Sequence, residues 1–181
     1  MNAGKSTQLL QVAYNYEERG MEVYMLTAQI DNRSGEKVIS SRIGIKHECD
    51  TYEGTSDLFQ KVTERQNIKP LACVLIDEAQ WLTPQHVDQL TQVTDELNIP
   101  VLCYGLRTDF EGNLFSGSQA LLALADELRE IRTICHCGKK ATMVLRLDSN
   151  GNALLEGPQN QIGGNESYVS VCGKHWKEAR G

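Results

Sequence analysis

Gly4-Lys5-Ser6 near the start of the chain is a grouping that can bind phosphate. A glycine lets backbone N–H groups approach phosphate oxygens, a lysine ammonium meets the β- and γ-phosphates, and a serine hydroxyl ligates Mg²⁺. Helix-forming sequence follows directly, and the positive end of such a helix adds to the attraction. So short a motif also describes an ordinary loop carrying a surface lysine. A second grouping narrows the choice. Val74-Leu75-Ile76 is an apolar run closing on Asp77, the form of a buried strand that delivers a Mg²⁺-holding carboxylate. Glu78 comes next; it is either a solvated strand-end carboxylate or a group that orients, and takes the proton from, an attacking hydroxyl. In phosphoryl transfer, positioning and charge stabilisation supply most of the rate and the base a smaller part.

A third grouping has different chemistry. Cys135-His136-Cys137 and Cys172-Gly173-Lys174-His175 offer three thiols and an imidazole, a donor set for a closed tetrahedral zinc site of the structural kind. Cys135, Cys137, Cys172 and His175 are the expected ligands; His136 could stand in for a cysteine, but its side chain is expected to face away. Free buried thiols are the alternative, and the single residue between Cys135 and Cys137 is shorter than the usual knuckle. Cys73 and Cys103 sit inside apolar runs and are expected as core thiols. Cys49 lies in a polar stretch and is expected to be unengaged.

The elements that must position these groups alternate. Helical spacing of Leu9, Leu10, Ala13 and Tyr16 predicts a helix over 5–19, with Gly20 as its cap. Strands are predicted at 23–30, 71–76 and 99–106, helices at 56–66, 83–97 (Thr83 as N-cap, Pro84 at N1) and 117–130. Residues 31–56 are polar and aperiodic, and are read as a long mobile loop. This alternation implies an α/β layer with a parallel sheet. The character changes near 131: β-like runs at 143–147 and 168–171 flank a turn signal, Asp148-Ser149-Asn150-Gly151. Domains are therefore expected at 1–130, a P-loop nucleotide-binding domain, and at 131–181, a zinc-binding β segment too small to bury its own core. The chain has 181 residues, 40% hydrophobic and 23% charged, with 18 basic against 24 acidic side chains and a net charge of −6. That balance disfavours sequence-blind nucleic-acid binding. No apolar run approaches the roughly 18 residues that span a bilayer, and no secretory leader precedes the loop, so a cytoplasmic protein with no membrane partner is expected.

Together these pieces resemble the bacterial-type (type II) thymidine kinase family, with its RecA-like P-loop domain and zinc-bearing lasso domain. The resemblance covers essentially the whole chain. It runs through Asn2-Ala3-Gly4-Lys5-Ser6-Thr7, Asp31-Asn32-Arg33, Asp77-Glu78-Ala79-Gln80-Trp81, Tyr104 to Phe110, and Ile162-Gly163-Gly164-Asn165-Glu166-Ser167-Tyr168. It implies an enzyme that phosphorylates thymidine, and deoxyuridine, at the 5′-hydroxyl with ATP, giving dTMP for nucleotide salvage and DNA synthesis. Glu78 would be the catalytic base. Met1, Asn2, Ala3, Gly4, Lys5, Ser6, Asp77, Glu78, Ala79 and Gln80 would serve ATP and Mg²⁺, with Arg33 beside the transferring phosphoryl. Met1, Trp81, Leu106 and Phe110 would line the base pocket. Ile162, Gly163, Gly164 and Asn165 would offer backbone groups to thymine, and Tyr168 would pack on the nucleoside. Plain core aromatics and a solvated loop arginine are the blander readings of Trp81, Phe110, Tyr168 and Arg33. A homotetramer, feedback inhibition by dTTP and a structural Zn²⁺ are also implied.

Two features depart from the family pattern. No strand and no front half of the loop stand ahead of Asn2: either Met1 is a truncated or mis-assigned start, or a protein truly beginning there is expected to be poorly stable and, expressed alone, aggregated or inactive. Gly173 also replaces a usual basic residue. Two other classes compete with the kinase. Asp77-Glu78-Ala79-Gln80 resembles a helicase box, but the chain is short and acidic for a nucleic-acid motor. A zinc-ribbon module with a vestigial nucleotide domain would bind no nucleotide.

Overall fold

The computed structural model describes residues 3–30, 37–159 and 167–181. Among these, the contacts gather into two compact units. One holds Gly4–Gly105 and Ser116–Leu128; the other holds Leu106–Phe115 and Arg129–Gly181.

The first unit is α/β. Helix α1 (Lys5–Glu17) leads into strand β1 (Glu22–Ala28). Short strands β2 (Val38–Ser40), β3 (Lys46–Glu48) and β4 (Asp50–Tyr52) follow, then α2 (Leu58–Ile68), β5 (Leu71–Ile76), α3 (Pro84–Leu97), β6 (Val101–Cys103) and α4 (Ser116–Leu124). The main sheet has the order β4-β1-β5-β6, and every pairing in it is parallel. Alternation along the two central strands builds two layers. Val23, Met25, Cys73 and Leu75 pack with Leu9, Leu10 and Ala13 of α1. Tyr24, Leu26, Val74 and Ile76 pack with Leu58 and Val62 of α2 and Val87, Leu90 and Val93 of α3. Thr83 caps α3 as expected, accepting from the His86 N–H at 3.1 Å, with Pro84 behind it.

Residues 37–52 correct the expectation of one long loop. β2 and β3 pair antiparallel, and β4 adds an edge strand to the parallel sheet. Three-residue strands leave no periodic trace, which is why the sequence reads as loop there. Cys49 is likewise engaged, packed against the layer that holds Ile39 and Cys73. The strand expected over 99–106 is paired only from Val101 to Cys103. Beyond it the backbone turns to bond Ile76 O and the Ala79 N–H. α4 ends at Leu124, short of the expected 130, and Leu124 and Leu128 are exposed.

The second unit is small. β7 (Thr133–Ile134) pairs with β8 (Lys140–Ala141), and β9 (Met143–Arg146) pairs antiparallel with β10 (Tyr168–Val171), which leads into α5 (Gly173–Glu178). Asp148 makes the expected turn, its carboxylate accepting from the Asn150 and Asn152 N–H groups at 2.8 Å. No described helix is long and apolar enough to cross a membrane.

Candidate functional site

The first unit brings the phosphate-loop residues to the acidic strand end. Gly4 stands before α1 at φ 82, a left-handed conformation that a side chain resists. Lys5 and Ser6 therefore begin the helix, beside the orphan N–H groups of its first turn. The Ser6 hydroxyl donates to Asp77 Oδ2 at 2.9 Å. Asp77 directly follows β5 and is 5% exposed; its other oxygen accepts from the Glu78 N–H at 2.9 Å. Burial, with the Glu78 charge behind it, pushes the Asp77 carboxyl up to about 6, while the Glu78 N–H, the Ser6 hydroxyl and Lys5 pull the other way. A hydroxyl and a buried carboxylate held together are hard oxygen donors of the kind Mg²⁺ takes, and a cation here would favour the charged form of Asp77.

Glu78 occupies an unusual backbone position. Its φ of 51 and ψ of 38 are left-handed, a conformation uncommon outside glycine. Strain of this kind persists only where neighbours over-determine it. The Tyr52 hydroxyl donates to the Glu78 carbonyl at 3.0 Å, and the Gln80 amide donates to Glu78 Oε2 at 2.5 Å. A single-turn 3₁₀ helix, Ala79–Trp81, follows, and Gly117 of α4 packs against it so closely that a Cβ there would lie 2.5 Å from the Leu82 carbonyl. Under Tyr52 sits His86, 1% exposed, its ring edge-on at 5.9 Å. Burial lowers the His86 pKa. Its Nδ1 accepts from the Thr83 N–H at 3.2 Å, so Nε2–H donates to the Ser56 carbonyl at 3.1 Å. Sequence reasoning missed Tyr52 and His86. Tyr52 lay within the supposed loop, and His86 carries only the weak signal of the third position after an N-cap. Trp81 is half-buried against the apolar layer of α2 and α3.

The second unit carries the candidate metal ligands. One donor atom from each of Cys135, Cys137, Cys172 and His175 lies within 4.8 Å of every other. His175 Nδ1 is 3.3 Å from Cys135 Sγ and 3.4 Å from Cys172 Sγ, and the Cys137 and Cys172 sulfurs are 3.9 Å apart. Zinc fits this set. Three thiols and an imidazole nitrogen converge, and Nε2 of His175, turned away from the cluster, faces the Glu178 carboxylate at 3.8 Å. His136 does not turn away as expected. Its ring lies 4.2 Å from that of His175, although it stands outside the four-donor cluster.

The expected nucleoside residues of this unit are Leu106, Phe110 and Tyr168. Leu106 and Tyr168 are half-buried, and Phe110 is buried with Arg146 over its ring. Ala3 is half-buried. Met1, Asn2, Arg33 and Ile162 to Asn165 lie outside the described residues.

The family model for thymidine kinase matches residues 1–176. The thymidine kinase of Jannaschia sp. (strain CCS1) is 61% identical over 181 residues, covering 100% of this chain and 93% of that protein. The thymidine kinase of Ruegeria pomeroyi is 59% identical over the same 181 residues and is covered to 91% of its length. That of Vibrio cholerae serotype O1 is 55% identical, with 100% of this chain and 94% of the relative covered.

Proposed function

The chain belongs to the thymidine kinase family, and on that premise we propose that it moves the γ-phosphoryl group of ATP to the 5′-hydroxyl of thymidine. The observation that carries the reading is the 2.9 Å bond from Ser6 to Asp77, with Glu78 next in the chain. It supports a nucleotide tail at the start of α1 and an acid–base group beside it. In the reaction the 5′-oxygen attacks the γ-phosphorus, an O–P bond forms, and the bond to the β-phosphate oxygen breaks. ADP leaves and dTMP remains. The 5′-hydroxyl proton passes to Glu78, whose carboxylate is oriented by Gln80 and whose backbone is held by Tyr52. Lys5 offsets charge on the phosphates. Ser6 and Asp77 would hold Mg²⁺, whose chemistry there would be charge neutralisation on the phosphates.

We assign the remaining site roles from the family resemblance. Met1 to Gly4, Ala79 and Gln80 serve ATP, Arg33 the transferring phosphoryl, and Trp81, Leu106, Phe110, Tyr168 and the backbone of Ile162 to Asn165 the nucleoside. Cys135, Cys137, Cys172 and His175 hold a structural zinc, a role their convergence supports. The division into 1–130 for nucleotide chemistry and 131–181 for the zinc-held segment is part of this reading. So are deoxyuridine as a second substrate, a place in pyrimidine salvage, feedback inhibition by dTTP, a homotetramer and a cytoplasmic setting, all on resemblance alone.

A panel of nucleosides with ATP and Mg²⁺ tests the reading. Thymidine is expected to be phosphorylated and purine nucleosides not; a panel with no pyrimidine product overturns it. Glu78→Gln is expected to bind both substrates and lose about 10²–10⁴-fold in kcat. Near-normal turnover would remove the base role from Glu78.

A further inference from the structure

Arg146 is a charged side chain in an almost closed position, 5% exposed near the end of β9. Its side chain meets an aromatic ring and a backbone carbonyl. The guanidinium lies 4.9 Å from the centre of the Phe110 ring, and Nη1 donates to the Pro158 carbonyl at 2.9 Å. Its own carbonyl accepts from the Leu154 N–H at 2.8 Å. In the β9–β10 register it stands directly opposite Tyr168. Residues directly opposite in an antiparallel pair project from the same face. The residue therefore joins three parts: its side chain meets the loop that carries Phe110 and the return segment through Pro158, and its backbone pairs with the strand that carries Tyr168. Two further ties run alongside it: Gly157 N–H to Glu111 Oε1 at 3.1 Å, and the Gln159 amide to Asp109 Oδ2 at 2.7 Å.

We infer that Arg146 is a positioning residue for the nucleoside: it fixes Phe110 and the 154–159 segment against the strand that carries Tyr168, and so sets nucleoside affinity while leaving the phosphate chemistry alone. This rests on the reading that gives Phe110 and Tyr168 to the nucleoside. The side chain's chemistry suits the task. A planar guanidinium can lie over an aromatic face and still donate in its own plane to a carbonyl; a lysine ammonium offers a point charge without that plane.

The test uses the whole protein, with Arg146→Lys and Arg146→Met beside the unsubstituted chain. Arg146→Lys is expected to raise KM for thymidine about tenfold or more, with KM for ATP and kcat each within about threefold. Zinc content should match the unsubstituted protein. Amide exchange across 154–159 should speed up in both variants, with β9 and β10 still protected. A general loss of fold would instead lower kcat and disturb both KM values and the metal. Unchanged thymidine KM in Arg146→Lys, an equal rise in both KM values, or a fall in kcat alone overturns the inference. If Arg146→Met fails to fold, Arg146→Lys decides it. Should the unsubstituted protein phosphorylate no nucleoside, the functional reading fails by itself. The exchange experiment still judges the tether, and unaltered exchange at 154–159 overturns it.

Discussion

The two units are held together by different physics. In the first, apolar layers cover both faces of a parallel sheet, with Leu26, Val74, Leu75 and Ile76 fully buried between helices. In the second, the core cluster among the described residues is small, with Cys135, Ala141, Leu145, Val171 and Cys172 buried, and two of those are metal-ligand candidates. Polar ties replace packing: Trp176 Nε1–H and Arg180 both donate to the Phe110 carbonyl, and Arg146 stacks on the Phe110 ring. A segment that small cannot offset its chain entropy by apolar burial alone. The comparison teaches that one unit can rest on a self-sufficient apolar core, whereas a smaller one can lean on a converging Cys/His cluster and a few directed bonds.

Metal removal should break the second unit most severely. Structural zinc contributes about 10–16 kcal/mol of apparent binding energy in zinc-finger peptides. Chelation, or Cys172→Ala, is expected to abolish zinc content and amide protection in β9 and β10. The amides of β1 and β5 should keep theirs. Protected β9 and β10 amides after complete metal loss would show that the small core suffices.

The mirror experiment cuts into the first unit. Leu75 is 0% exposed and belongs to the α1-facing layer. Leu75→Ala is expected to cost about 2–5 kcal/mol in that unit's unfolding free energy. Zinc content should not change. A denaturation midpoint equal to that of the parent would mean the layer collapses around the smaller side chain.

Legibility in the sequence follows the same divide. The apolar run 71–76 ends where β5 ends, and Thr83-Pro84 opens α3 as its residue types demand. Ser6, Asp77 and Glu78 are legible because a short motif and a buried strand fix their type and order. The four-donor Cys/His cluster is legible because so few residue types suit such a site. Tyr52, His86 and Arg146 are not. Each acts by reaching another element, β5's end for Tyr52 and the Phe110 loop for Arg146, and no local pattern encodes a partner distant in sequence. The three-residue β4 is invisible for a related reason, since its strand identity comes from pairing with β1.

A smaller effect is expected at the helix cap beneath the site. Thr83→Ala removes the acceptor for the His86 N–H and should cost about 1 kcal/mol. Because His86 packs on Tyr52, which holds Glu78, the variant should also lower kcat modestly while zinc content stays constant. A stability loss with kcat untouched would separate the cap from the catalytic support.

The smallest effect belongs to the first unit's one multi-partner ion cluster among the described residues. Glu22 on β1 accepts from Lys69 at 2.6 Å and from Arg65 at 2.5 Å. The Lys69 hydrogen bond, opposed by burial and aided by Arg65, holds its pKa below the usual 4.5. A carboxylate held low when folded stabilises the fold at pH values above its unfolded pKa. That contribution is lost as pH falls below about 4.5 and through the folded value. Because Lys69 is 58% exposed and Arg65 39%, its size should be about 1 kcal/mol or less and should shrink in high salt. Glu22→Gln should therefore lower stability slightly at neutral pH and converge with the parent in acid. Curves for the two proteins that stay parallel from pH 7 to pH 3 would place the acid sensitivity elsewhere in the molecule.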